Sequence, residues 1–303
     1  MKLLPALRAA LGAGEPAILV TVTGARGSTP REAGAAMLVT TGSLAGTIGG
    51  GALEMEATLA ARRMIASGEG MARLDIPLGP AIGQCCGGHV ELSLSALDAA
   101  LVERLERAAD AERARWPQVF LFGAGHTGQA LARALQPLPF RLTVVDTRPE
   151  RLADLPSGID RLATPVPETI VAAAEPHGLY VVMTHDHALD FLIATAALER
   201  GDARYVGMIG SATKREKFRR HLETVGSVVS ADRLMLPLGG GQVRDKRPEV
   251  IAALTVAELV TVAAAWDNSC TGFAPEQMQC NKIGSDDRRN NPALGKVPHA
   301  ATS

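Results

Sequence analysis

The run from Val119 to Asp146 constrains this chain more than any other stretch. Val119-Phe120-Leu121-Phe122 is a short apolar segment of strand type, and Gly123-Ala124-Gly125-His126-Thr127-Gly128 fits the spacing G-x-G-x-x-G. A helical stretch continues to Leu135, and Leu142-Thr143-Val144-Val145-Asp146 reads as a second strand that ends in an acid. A glycine triplet alone is a weak signal. Placed at a strand-to-helix turn inside a complete βαβ unit, it predicts a Rossmann-like, doubly wound parallel sheet. In such a unit Gly123, Gly125 and Gly128 shape a turn whose amides meet a pyrophosphate. Asp146, 18 residues after Gly128, takes the place of a ribose-binding carboxylate. His126 puts a bulky polar ring into that loop, either bonded to backbone or set beside a ligand's phosphate. A fingerprint of this kind specifies scaffold before ligand, so two readings stand: NAD(P) is bound here, or the scaffold alone persists.

Later strands are expected at residues 179–183 and 205–209, each followed by polar residues at the end where open α/β sheets bind ligands. Thr184-His185-Asp186-His187-Ala188-Leu189-Asp190 follows the first, and its histidines could ligate a metal or move protons. Their spacing matches no strong ligand signature. Gly210-Ser211-Ala212-Thr213-Lys214-Arg215 follows the second, where hydroxyls and cations could meet an anion at a helix start. The plainer reading makes Ser211 a helix N-cap and Asp190 a first-turn charge on its own helix.

Upstream, residues 17–23 and 36–40 are apolar or β-branched runs bounded by glycine and proline, as strands are. Gly27-Ser28-Thr29-Pro30-Arg31 lies between them. Gly46-Thr47-Ile48-Gly49-Gly50-Gly51 opens a helix over about 52–66, and free amides at that start would suit an anion. Strands at 72–78 and 90–94 bracket the turn Gly83-Gln84-Cys85-Cys86-Gly87-Gly88. It holds two of the chain's four cysteines, side by side. Adjacent cysteines are a poor disulfide framework, whereas soft sulfur beside exposed amides suits a metal or a sulfur-bearing ligand. The inert reading is that cysteine is often simply buried. A helix over 96–113 follows, its Glu103-Arg104-Leu105-Glu106-Arg107 run being a solvated face.

The fold class expected is therefore α/β: a small N-terminal α/β domain over 1–113 and a Rossmann-like domain over 114–265. Residues 266–303, poor in apolar side chains, are expected as a disordered tail, with Cys270 and Cys280 as incidental thiols. Lysine and arginine total 31 against 32 acids, so a formal charge of -1 gives no general attraction to nucleic acid or membrane. Aromatics are 3% of residues, too few for a base-stacking surface. Four irregularly spaced cysteines, with Pro5 and Arg8 interrupting the apolar start, predict a soluble protein of a reducing cytoplasm. No stretch of roughly 18 consecutive apolar residues points to a membrane span.

Taken in order, GlySerThrProArg, GlyThrIleGlyGlyGlyAlaLeuGlu, GlnCysCysGlyGly, GlyAlaGlyHis, ValValAspThrArg, MetThrHisAsp and IleGlySer with Lys214-Arg215 resemble the XdhC/CoxI family of xanthine dehydrogenase accessory proteins. The resemblance covers roughly residues 15–262. It implies a chaperone that binds the molybdenum cofactor (molybdopterin), protects it while its sulfurated form is made, and delivers it to xanthine dehydrogenase. The implied partners are that apoenzyme, a cysteine desulfurase and further copies of the chain. On this reading Ser28, Arg31, Gly49, Gly50, Gly51, Gln84, Cys85 and Cys86 contact the cofactor, with Cys85 or Cys86 at the molybdenum or its exchangeable sulfur. In the second domain Gly123, Gly125, His126, Gly128, Asp146, His185 and Ser211 line a second ligand-binding crevice. Gly240-Gly241-Gln242-Val243-Arg244-Asp245 is looser and more polar than the family's apolar continuation. The rival class is an NAD(P)-dependent oxidoreductase, with His185 or His187 as proton donor and no use for the N-terminal loops. A pure docking module is a third.

Overall fold

A computed structural model describes residues 3–78, 88–241, 243 and 245–270, the last five as backbone only. The N-terminal part runs α1 (Leu4–Gly12), β1 (Ala17–Arg26), β2 (Ala36–Thr40), β3 (Leu44–Gly46), α2 (Gly51–Ser67), β4 (Met71–Leu78), β5 (Gly88–Ala96) and α3 (Ala99–Ala114). Its strands form one antiparallel sheet in the order β3-β2-β1-β5-β4. Alternation decides which face each side chain joins. Ile18, Val20 and Val22 of β1 join Met37 and Val39 of β2 and Val90, Leu92 and Leu94 of β5 under α2. Ala17, Leu19 and Leu38 turn the other way, under α1 and α3. On that second face the odd-numbered residues of β4 and β5, among them Arg73, Asp75, Glu91 and Ser93, stay partly or fully open to solvent.

The second part runs β6 (Gln118–Phe122), α4 (His126–Leu135), β7 (Arg141–Asp146), α5 (Pro149–Ala153), β8 (Asp160–Ala163), α6 (Glu168–Ala173), β9 (Leu179–Val182), α7 (His187–Glu199), β10 (Tyr205–Met208), α8 (Ala212–Thr224) and α9 (Pro248–Cys270). All five strands are parallel, in the order β10-β9-β6-β7-β8, which is the doubly wound arrangement. A central strand of such a sheet is buried on both faces, which is why β6 reads as an unbroken apolar run. Val119 and Leu121 enter the core shared with α4 and α9, and Phe120 and Phe122 enter the core shared with α7 and α8.

One expectation is revised. The last helix continues through Cys270 instead of stopping at residue 265, while residues 271–303 lie outside the described ones. Its stretch Pro248–Ala265 has a mean hydropathy of 1.6, long and apolar enough to cross a membrane, with 17% of it buried. Glu249 and Glu258 interrupt the apolar run. Glu258 accepts a 2.6 Å bond from the Tyr205 hydroxyl, fastening the helix to the sheet. Gly239, just upstream, has no room for a side chain because a Cβ would stand 2.7 Å from Leu254 of this helix.

Candidate functional site

Strand direction decides which of the N-terminal motifs meet. Strand β1 ends at Arg26, which pairs with His89 near the start of β5, and β4 ends at Leu78 opposite Gly88. At the other side of the sheet, β3 ends at Gly46 opposite Met37 near the start of β2. The loops 27–35 and 47–50 therefore leave one end of the sheet, the end at which β4 finishes and β5 begins. The first carries Ser28 and Arg31, and the second carries the glycine turn.

Close approaches confirm the meeting of these two loops. A Cβ on Gly49, where φ is +130°, would stand 2.5 Å from Pro30 and 3.7 Å from Arg31. One on Gly88 would stand 2.2 Å from the Ser28 carbonyl oxygen. The glycines are there because backbone and proline occupy the space a side chain would need. Gln84, Cys85 and Cys86 themselves lie outside the described residues. Ser28 and Arg31 are exposed, and neither side chain forms a hydrogen bond or ion pair among the described residues.

The amides of the glycine turn just ahead of α2 are taken up by side chains, whereas no side chain caps the first amides of the helix itself. Glu54, in the first turn, reaches back so that its Oε1 accepts from the amides of Ile48 and Gly50, each at 2.9 Å, and from the Thr47 hydroxyl. The Gly49 amide donates to Thr47 Oγ1 at 3.1 Å. Burial opposes ionisation of Glu54, but the bonds from Thr47, Gly50, Ile48 and Gly49 outweigh it and hold the carboxyl below its ordinary range. Glu54 anchors the turn that precedes its own helix. Glu54 is thus a residue that the motif reading missed, although an acid in a first turn is a recognised signal.

In the second sheet, the carboxyl ends of β6, β7, β9 and β10 lie on one side, and the strand order reverses between β6 and β9, the switch point at which open α/β sheets bind ligands. The three fingerprint glycines divide by role. Gly123 has φ +111° and a Cβ there would stand 2.3 Å from the Met183 carbonyl oxygen, while one on Gly128 would stand 1.9 Å from the Gly123 carbonyl oxygen. Both are demanded by the packing. Around Gly125 nothing lies within 4 Å of that position, so its space is open to a ligand. His126 is the exposed first residue of α4 and makes no hydrogen bond among the described residues, so the backbone-bonded reading fails.

Asp146 does not present itself to a ribose. It is 4% exposed, and its Oδ2 accepts from the Ala124 amide at 2.7 Å. Arg148 fills the remaining capacity, its amide and Nε reaching Oδ1 at 3.0 Å each and its Nη2 reaching Oδ2 at 3.2 Å. A carboxylate accepts about four such bonds, so this one is saturated by its own chain. It serves as the brace of the glycine turn.

The first turns of α7 and α8, which follow β9 and β10, are joined by a buried ion pair. Lys214 Nζ lies 2.5 Å from Asp190 Oδ2, with side-chain exposures of 9% and 0%, and also donates to the Ile209 carbonyl at 3.0 Å. Asp190 Oδ1 accepts from the Thr184 amide at 2.9 Å and its hydroxyl at 2.7 Å. Asp190 is more than a first-turn charge; the signal was a lone acid within the apolar helix sequence AlaLeuAspPheLeuIle. The N-cap of α7 is Asp186, which bonds the Ala188 amide at 2.7 Å. Ser211 holds the N-cap position of α8 without a capping side-chain bond. His185 and His187 are both exposed, and no group of three or more metal-ligating side chains occurs among the described residues.

Sequence comparison places these two constellations together. The XdhC and CoxI family profile matches residues 10–75, and that of the XdhC Rossmann domain matches residues 119–259. The chain belongs to the XdhC and CoxI family. The chain is 27% identical over 261 residues to the uncharacterized protein YqeB of Escherichia coli K12, a match that takes in 82% of this chain and 43% of YqeB. It thus spans less than half the length of that curated relative. Its fold matches the crystal structure of a xanthine dehydrogenase from Bacillus halodurans with a TM-score of 0.69 at 20% identity, over 86% of this chain and 96% of that one. At that identity the likeness is one of fold.

Proposed function

We propose that this XdhC-family chain holds the molybdenum cofactor as cargo, shields it while its sulfurated form is made, and delivers it to a xanthine dehydrogenase apoenzyme, with a cysteine desulfurase as second partner. The observation that carries the reading is the meeting of the loops 27–35 and 47–50 at the end of the antiparallel sheet where β4 finishes and β5 begins. Molybdopterin carries an anionic phosphate and a dithiolene-bound soft metal. A holder needs a cation or donors for the first and benefits from thiolate sulfur near the second.

Arg31 and Ser28 supply free donors at that end. The glycine turn has a different part from the one its sequence implies. With the Ile48 and Gly50 amides committed to Glu54, Gly49 sets the loop against Pro30, and the phosphate falls to Arg31, Ser28 and the uncapped first amides of α2. Cys85 or Cys86 contacts molybdenum or its exchangeable sulfur. Dinucleotide binding by the second sheet keeps one favourable observation, the open position at Gly125, and loses the ribose carboxylate.

The test is anaerobic loading of the full chain with free cofactor, followed by molybdenum analysis and fluorescence of the oxidised pterin. Near-stoichiometric metal and pterin in the wild type, with metal reduced in Cys85→Ala or Cys86→Ala, is expected. Unchanged molybdenum in both variants would remove the thiolate from the account, and no retained pterin in the wild type would remove the carrier reading itself.

A further inference from the structure

We propose that the carboxyl end of the parallel sheet binds a dinucleotide whose adenosine ribose carries a 2′-phosphate, the chemistry of NADP(H), and that Arg148 selects it over the unphosphorylated form. In open α/β sheets with this glycine turn, the pyrophosphate lies on the turn and the adenosine ribose reaches the end of the adjacent strand. Here that strand is β7, which pairs with β6 and ends at Asp146. Arg148 follows it as the N-cap residue of α5. Asp146 and Arg148 are therefore the two side chains that a ribose would meet.

The seat for the pyrophosphate is open. Helix α4 begins at His126 without a side-chain cap, so the amides of its first turn are donors that its own backbone leaves unmet. Gly125, at the N-cap position, has nothing within 4 Å of where a Cβ would stand, which leaves room for a phosphate beside those amides. At the ribose end the arrangement is the reverse. Both oxygens of Asp146 are filled by the Ala124 amide and by Arg148, so no acceptor remains for the 2′-hydroxyl of an unphosphorylated ribose.

Arg148 is held side-on by that carboxylate. Nε donates to Oδ1 at 3.0 Å and Nη2 to Oδ2 at 3.2 Å, which uses one edge of the planar guanidinium. The other edge, formed by Nη1 and the second hydrogen of Nη2, has no hydrogen-bond partner among the described residues. Two parallel N–H donors on one edge are what a bidentate grip on phosphate requires. The same Oδ2 also accepts from the Ala124 amide at 2.7 Å, so a single carboxylate oxygen separates the guanidinium from the glycine turn. A 5′-phosphate and a 2′-phosphate borne by one ribose need binding groups that are neighbours in this way. The Asp146 side chain is 3% exposed and that of Arg148 29%, so it is the cation that an incoming ligand meets. The opposing charge is Glu150, whose field also reaches Arg148; it is exposed, makes no hydrogen bond among the described residues, and is free to turn to water.

Isothermal titration calorimetry of the full chain with NADP+ and with NAD+, at neutral pH and physiological salt, tests the assignment. NADP+ is expected to bind about tenfold tighter than NAD+ or more, as one added charge-assisted bidentate contact provides. Arg148→Ala should bring NADP+ to the level of NAD+ while NAD+ stays within about twofold of wild type, because Asp146 still accepts from the Ala124 amide and the turn keeps its shape. Arg148→Lys, a cation without the fork, should fall between the two. Gly125→Val, whose γ-carbons enter the phosphate seat, should lose both dinucleotides with an unchanged circular dichroism spectrum. Absence of binding by either dinucleotide at millimolar concentration, equal affinities in the wild type, a preference that survives Arg148→Ala, equal loss of both ligands in that variant, or undiminished binding by Gly125→Val would each overturn the proposal.

Discussion

Replacing Asp146 with alanine separates a brace from a ribose ligand. The substitution leaves the Ala124 amide, fully buried and bonded at 2.7 Å, without an acceptor. An unsatisfied buried donor costs about 1–3 kcal/mol. Arg148, whose side chain is 29% exposed, loses its partner but can turn to water, adding on the order of 1 kcal/mol. The sum, roughly 2–4 kcal/mol, lowers the melting temperature by on the order of 10 °C for a domain of this size. Burial opposes ionisation of Asp146, but the Arg148 side chain and the Ala124 and Arg148 amides outweigh it, so its pKa is depressed on folding. A group depressed in this way contributes stability above its unfolded pKa and loses it as pH falls through the folded value. The gap between wild type and Asp146→Ala should therefore be complete at neutral pH and close progressively below about pH 4. Differential scanning calorimetry at several pH values reads this directly. Melting within about 2 °C of wild type at neutral pH, or a gap indifferent to acid, would refute the brace. A ribose ligand would instead reveal itself as lost nucleotide affinity at unchanged stability.

Other outcomes follow from the same geometry. Gly128→Ala, with a Cβ 1.9 Å from the Gly123 carbonyl oxygen, should cost about 3 kcal/mol or more by chemical denaturation, whereas Gly125→Ala, in open space, should cost about 1 kcal/mol or less. Asp190→Leu should cost about 3–5 kcal/mol by leaving Lys214 buried and unpaired, and adding Lys214→Met should recover part of that loss. Glu54→Gln weakens the caps on Ile48 and Gly50; because the Glu54 pKa is depressed, its advantage over Gln should be present at neutral pH and vanish in acid, as amide exchange of α2 would report.

The sequence made the parallel sheet legible because a buried βαβ unit writes itself as apolar runs around a glycine turn. It also marked the strands that bracket Cys85 and Cys86. The three-residue β3 and four-residue β8 left no such trace, since segments that short carry too little periodicity to separate from loops. Functional residues were legible as types and not as tasks. Asp146 sits where a ribose ligand belongs, yet its partner is Arg148, two residues on, and only coordinates reveal that both oxygens are used. Glu54 and the Asp190–Lys214 pair became visible the same way, because the amides and charge they satisfy lie on other segments. The meeting of loops 27–35 and 47–50 is a property of sheet order, which no local pattern encodes.

The most direct measurement of where the cargo sits compares molybdenum and pterin retained, after identical anaerobic loading, by wild type, Arg31→Ala, Gly49→Ala and Gly125→Ala. Loss of both ligands in the first two variants with full retention in Gly125→Ala is expected of a site at the end of the N-terminal sheet. Retention by Arg31→Ala and Gly49→Ala, with loss in Gly125→Ala, would move the cargo to the crevice of the parallel sheet.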